Sequence, residues 1–330
     1  MTKLSALPAT RGKSLSWESP AAWLFVLAAA IIPTLVASNY QLFQLTMVVI
    51  YAVAILGLNI VTGFNGQISL GHGAFYAIGA YVTAIMMDKW DVPYWATLPV
   101  SAAICAAVGF LVGLPALRLG GLYLALTTFA LAVATPQLLK YKLFEDWTGG
   151  VQGIVISKPD APFGLPLSAD QWLFLFSLVV ATILFVLVGN LARSRIGRGM
   201  KAIRDHALAA EAMGIHLAMF KTRTFAVSAM VTGIAGSLGA VAIQFVAPDS
   251  FTVFLSIFLF VGMVVGGVAS IAGSVIGALF VEFVPNLAED LSKAAPGAVY
   301  GVLLIAVLFL MPTGLAGFLR QALRRVLRIA

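Results

Sequence analysis

The sequence predicts an all-α fold: a polytopic transmembrane helical bundle of about ten spans, with both termini on the cytoplasmic side. The first observation is composition. Hydrophobic residues make up 61% of the 330 residues and charged residues only 10%, against roughly 45–50% and about 25% in soluble domains. Mean hydropathy is +1.01, which excludes a water-soluble globule. The second is pattern. The apolar residues form continuous runs, not the alternating segments of about ten residues that a transmembrane β-barrel needs. The third is a lopsided placement of basic residues between alternate connections.

Ten runs are near the length of about 20 apolar residues that a bilayer-spanning helix requires. They cover 21–38, 42–63, 67–87, 94–114, 119–138, 170–191, 222–246, 251–267, 273–289 and 297–313. Several contain Gly or Pro, which a membrane interior tolerates where the backbone is buried in protein. Residues 1–20 form a polar leader with Lys3, Arg11 and Lys13. The long leader and the membrane-embedded remainder favour an uncleaved first span over a signal peptide. The transmembrane domain is 21–313, and a basic tail follows over 314–330.

With the N-terminus inside and sides alternating, fifteen of the twenty Lys and Arg residues fall inside. Among them are Arg118, the group from Arg193 to Arg223, and four arginines of the tail. Lys89, Lys140, Lys142, Lys158 and Lys293 fall outside. The excess inside is the signature of cytoplasmic loops. It also explains the net charge of +7 without nucleic acid as a partner. Two connections are long, and long loops in a compact bundle are often functional. The outside one, 139–169, carries Pro159, Pro162 and Pro166; the inside one, 192–221, is the most basic stretch.

No motif for chemistry stands out, so the chain reads as a non-enzyme without a cofactor of its own. Gly12-Lys13-Ser14 is not a P-loop, because Leu7 occupies the first glycine position and no strand precedes it. His72, His206 and His216 are not at metal-ligand spacing, and Cys105, the single cysteine, sits in an apolar run as a packing residue. Gly109/Gly113, Gly262/Gly266 and Gly273/Gly277 are G-x-x-x-G pairs that predict close helix packing.

Four features invite a functional reading. In the inside loop, Asp205 is a good N-cap, His206–Met213 makes two helical turns, and Gly214 is a C-terminal stop. Such a helix is too short to stand alone. It is either a coupling helix set into a partner or an interfacial helix on anionic lipid. At the start of the third span, Asn59, Asn65, Gln67, Ser69 and His72 cluster with Tyr76 among glycines. These six are candidates for a translocation pathway, or for a self-satisfied turn that packs helices. Glu282 is an intramembrane carboxylate, suited to proton coupling or to a span end facing water. Finally, GFNGQISLGHGAF around Ser69 echoes GGVASIAGSVIGALF around Ser270. This is either an internal repeat or two tight membrane turns that both use glycine.

GLNIVTGFNGQISLGHGAFYAIGAY (57–81), TGGVQGI (148–154), GRGMKAIRDHALAAEAMGI (197–215), GGVASIAGSVIGALF (266–280) and MPTGLAGF (311–318) occur in that order. Together they resemble the permeases of branched-chain amino-acid ABC transporters, in particular the M-type subunit of the Liv system. The resemblance spans about residues 42–318. It implies a multi-pass protein of the bacterial inner membrane, paired with a second related permease. Two cytoplasmic ATPase subunits would bind the ATP, and a periplasmic binding protein would deliver leucine, isoleucine or valine. It also implies that Arg204, Asp205, Ala210, Glu211, Ala212 and Gly214 belong to the ATPase-coupling loop. Relatives that carry urea or short amides leave another solute open, and a self-sufficient secondary transporter or channel working through Glu282 is the rival from a different class.

Overall fold

The structure is a computed structural model that describes residues 20–115, 121–162, 166–291, 293, 295–311 and 314–319. The leader through residue 19, Arg118, and residues 320–330 of the tail lie outside the described residues. The helices are α1 (Pro20–Val36), α2 (Asn39–Leu58), α3 (His72–Trp90), α4 (Tyr94–Gly113), α5 (Leu122–Leu139), α6 (Glu145–Thr148) and α7 (Ala169–Arg193). They continue with α8 (Arg195–Asp205), α9 (Ala207–Ala212), α10 (Leu217–Ile243), α11 (Val253–Gly266), α12 (Ile271–Leu291) and α13 (Pro296–Leu310). Each of the ten apolar runs overlaps one of these helices. Among the described residues, seven helical segments are long and apolar enough to cross a membrane. The chain is a multi-pass helical bundle.

α10 is the centre, with α2, α3 and α4 packed around it. Lipid tails are as apolar as leucine, so burial alone does not drive helices together in a bilayer; close packing and interhelical hydrogen bonds do. The sequence supplies both. A Cβ on Gly79 of α3 would lie 2.0 Å from the Gly233 carbonyl oxygen of α10, and one on Gly236 would lie 1.9 Å from the Tyr76 carbonyl oxygen. Gly109 and Gly113 of α4 face Ala229 and Thr222 of α10. Cys105 lies against Gly233, its Sγ 3.5 Å from the Phe75 carbonyl. Hydroxyls then bridge the touching backbones. Ser228 donates to Gly57 O at 2.6 Å, Ser237 to Gly79 O at 3.2 Å and Ser101 to Gly233 O at 3.3 Å.

α11 and α12 form a second tight pair. Gly262 and Gly266 meet Gly277 and Gly273 backbone to backbone, so these G-x-x-x-G pairs interlock with each other. α12 and α7 flank α2, α1 rests on α7, and α13 on α12. Capping boxes start two of the helices: Ser38 with Gln41 on α2, and Ser168 with Gln171 on α7. Gln171 also donates to Thr34 O, tying α1 to α7, and Trp172 Nε1 donates to the Tyr94 hydroxyl of α4.

The structure corrects the sequence reading in three places. The connection 139–169 is not bare loop. It holds α6 and the strand β1 (Ile154–Val155), which pairs antiparallel with β2 (Phe245–Val246) just after α10. Two-residue strands carry no period to read. The TGGVQGI glycines serve this turn: Gly149, Gly150 and Gly153 all have positive φ, and a Cβ on Gly153 would lie 2.6 Å from Val246 O. Ion pairs Lys140–Asp249 and Lys158–Asp170 pin the same end. Second, the third span does not begin at 67, because helix α3 starts at His72. Third, most of 192–221 is helical, as α8, α9 and the first turns of α10.

The glycine contacts yield a direct test. Gly236→Leu places a side chain where the Tyr76 backbone already lies, and overpacking of this kind costs about 1–3 kcal/mol or more. A Cβ on Gly301 of α13 meets nothing within 4 Å among the described residues, so Gly301→Leu is the control. In detergent, thermal unfolding followed by size exclusion should show a strong loss of folded protein for the first and none for the second. Equal behaviour of the two would refute the packing account.

Candidate functional site

The polar cluster forms where α2 ends. Its last turn widens into a π-helix over Asn59–Phe64, all buried. The chain then leaves helical geometry: Gly66 has φ +72°, and regular structure resumes only at His72. Buried non-helical backbone needs partners inside the protein. Hydroxyls provide them. Leu70 N–H donates to Thr128 Oγ1 of α5 at 2.9 Å, and Gly73 N–H to Ser256 Oγ of α11 at 2.9 Å. The first turn of α3 is thereby bound to two other helices.

His72 is 1% exposed, and both ring nitrogens are occupied. Nδ1 lies 3.0 Å from Ser69 Oγ, and Nε2 lies 2.7 Å from Ser228 Oγ. The Ser228 proton goes to Gly57 O, so Ser228 accepts from Nε2–H and Ser69 donates to Nδ1. That network assigns the tautomer. Asn59 is equally spent: Oδ1 accepts from Ala269 N–H at 2.8 Å, while Nδ2 donates to Ser270 O at 2.9 Å and contacts Ser274 Oγ at 3.4 Å. Asn59, just ahead of the first echoing segment, thus holds the second, and a Cβ on Gly63 would lie 2.6 Å from Ala269 N.

Asn65, Gln67 and Tyr76 differ. Asn65 Nδ2 donates to Gln67 Oε1 at 2.7 Å, but Asn65 Oδ1, Gln67 Nε2 and the Tyr76 hydroxyl are buried without a partner among the described residues. The Tyr76 ring sits 6.1 Å from Phe251 with its hydroxyl over Gly239. The structure thus divides the six residues into three that close a packing network and three that keep unused polar atoms. Sequence reasoning missed the hydroxyl partners Thr128, Ser228, Ser256 and Ser274. Their signal was single hydroxyls inside apolar, glycine-bearing spans.

The second locus is the α8–α9 hairpin at the basic end. Asp205 is not an N-cap. It is the last residue of α8, and its carboxylate binds its neighbour Arg204, Nε and Nη2 both 2.9 Å from Oδ1. His206 takes the N-cap position of α9 without a side-chain cap bond, and α9 spans Ala207–Ala212, two residues shorter than expected. Gly214, φ +86°, does end it. Ala210 is buried, whereas Glu211, Ala212 and Gly214 are exposed. Ala210 is therefore the anchor of the helix. Leu208 and Met213 were overlooked; they project outward at 76% and 85% exposure. Arg204 ties the hairpin back to the polar cluster through Nη1, 3.1 Å from Gly63 O.

Glu282 lies on α12, partly buried. Among the described residues no cation pairs with it.

Residues 40–311 match the family described as the branched-chain amino acid transport system / permease component. The chain is 31% identical over 345 residues to the high-affinity branched-chain amino acid transport system permease protein LivM of Salmonella typhimurium, covering 96% of this chain and 79% of that protein. Identity to LivM of Escherichia coli K12 is 31% over 342 residues, with the same coverage. Identity to LivH of Escherichia coli K12 is 27% over 305 residues, covering 81% of this chain and 91% of LivH. No solved structure matches the chain. A multi-pass bundle matched to one family over most of its length, and to LivM nearly from end to end, belongs to the branched-chain amino acid transport system permease family.

Proposed function

We propose that this chain is the M-type permease subunit of an ATP-driven importer of branched-chain amino acids in a bacterial inner membrane. In this reading a second, related permease completes the pathway, and two cytoplasmic ATPases bind the nucleotide, since the sequence carries no P-loop. A periplasmic binding protein delivers leucine, isoleucine or valine and sets most of the selectivity. The observation that carries the proposal is the α8–α9 hairpin. It is a six-residue helix, too short to be stable alone, anchored by Ala210 and presenting Leu208 and Met213 outward. Burying two such side chains is worth about 1.5–3 kcal/mol each, a gain that a groove in an ATPase subunit would supply. In the mechanism, ATP closes the ATPase dimer, α9 moves with it, and the bundle opens toward the loaded binding protein. Asp205, Glu211, Ala212 and Gly214 shape the contact; Ala210, by its burial, and Arg204, through Gly63 O, hold it to the bundle. Asn65, Gln67 and Tyr76, which keep free polar atoms, are the pathway candidates, with Asn59, Ser69 and His72 as their support.

Three outcomes are expected. Gentle solubilisation and affinity capture of the full chain should recover a second permease and cytoplasmic ATPases; recovery of the chain alone would favour a self-sufficient transporter. Replacing Asp205 and Glu211 together by Ala should reduce ATPase recovery severalfold, and Leu208→Ser with Met213→Ser should reduce it further. Unchanged recruitment and transport would remove the coupling assignment and leave a lipid-facing helix. Glu282→Gln should retain ATP-driven uptake of leucine, measured against urea in the same vesicles. Loss of uptake in that variant, with proton dependence in the parent, would support a secondary transporter instead.

A further inference from the structure

The π-helical turn Asn59–Phe64 is gripped from two sides. On one side stands Arg204, at the end of α8. Its guanidinium bridges two partners, with one edge on Asp205 and Nη1 on the Gly63 carbonyl at 3.1 Å. Its stem lies over Gly66, where a Cβ would come within 2.7 Å of Arg204 Cγ. Lys201, one turn earlier, places its ammonium 5.7 Å from the centre of the Phe64 ring and donates to Ala192 O. On the other side stands the turn between α11 and α12. Asn59 holds Ala269 N–H and Ser270 O, and a Cβ on Gly63 would lie 2.6 Å from Ala269 N and 1.9 Å from Asn59 Oδ1. Gly63 is thus pressed between Arg204, through its carbonyl, and Ala269.

Ala269 adds a second observation. It is a non-glycine residue at φ 59°, a left-handed conformation that persists only when its surroundings enforce it and that clusters at switch regions. The enforcing bond comes from Asn59. π-turns inside helices are themselves frequent at functional sites.

We infer that this π-turn is a mechanical junction, in which Arg204 and Asn59 are positioning residues that deliver movement of α9 to α2 and to the α11–α12 hairpin together. The inference rests on the permease reading above. Arg204 cannot move outward with α9 without drawing Gly63 or breaking its bond. Gly63 cannot move without displacing Asn59 or Ala269. Contiguous packed and hydrogen-bonded elements are the physical route for such coupling. Neither residue is required to touch solute or ATPase.

The test uses the whole complex, purified through this chain with its co-purifying permease and ATPases, reconstituted in lipid vesicles with leucine-loaded binding protein. Assembly, ATP hydrolysis and leucine uptake are measured on one preparation. Arg204→Lys keeps the charge but loses the planar fork that spans Asp205 and Gly63 O. Asn59→Ala removes the grip on Ala269 and Ser270. Each should leave assembly intact and ATP hydrolysis within about twofold, while uptake per ATP falls about tenfold; residues in one relay should combine less than multiplicatively. Unchanged uptake per ATP in both, losses that simply multiply in the double variant, or losses that track the amount of assembled complex would overturn the junction. If Asn59→Ala does not fold, Ala269→Gly relaxes the left-handed residue without removing a side-chain bond. It should lower uptake per ATP severalfold, and parent-like coupling would count against the proposal. Parent vesicles that assemble but show no ATP-driven uptake would strike the permease reading itself, and the junction with it.

Discussion

Everything in this bundle depends on how closely α10 can approach its neighbours. Inside a bilayer, two helices gain little from hiding apolar surface, so they hold together only where backbones come near enough for dispersion and hydrogen bonds to act. Gly79, Gly233 and Gly236 remove the side chains that would keep α3 and α10 apart. That approach brings Ser228 and Ser237 within reach of carbonyls on α2 and α3. Each such bond is modest, about 1 kcal/mol or less in membranes. The set matters because all of its members converge on one helix.

The unwound stretch before α3 is a by-product of this arrangement. A helix that continued through residues 65–71 would satisfy its own backbone, but the chain turns there and needs donors and acceptors from elsewhere. Thr128, Ser256 and the Ser69–His72–Ser228 chain supply them from α5, α11 and α10. The buried histidine is therefore a brace between helices. The residues left with spare polar valence, Asn65, Gln67 and Tyr76, lie beside this braced frame. A rigid frame with a few unsatisfied groups suits a pathway better than a cluster in which every atom is already paired.

Much of this was legible in the sequence. The apolar runs located the long helices, because a span of that length leaves an unmistakable stretch of hydropathy. The G-x-x-x-G pairs announced close packing, and Gly214 marked the end of α9. Other features left no trace. Asp205 has the chemistry of an N-cap, but Arg204 beside it captured the carboxylate and α8 ran on to include it. The β1–β2 ribbon is two residues long on each side and encodes no alternation. The apparent polar site at Asn59 and His72 was resolved only by partners more than 150 residues away, Ser228 and Ser270. The echo between the stretches around Ser69 and Ser270 was visible, but that the two stretches touch was not.

Cys105 is the single cysteine of the chain, and it is sealed between α4, the Phe75 carbonyl and Gly233. A thiol in that position is shielded from water-borne maleimides and methanethiosulfonates while the bundle is folded. This chain is thus already a near-silent background for site-directed labelling. Cysteines introduced one at a time along α9 or the β1–β2 ribbon would report their own accessibility as the transport cycle proceeds, without the native thiol first being engineered away.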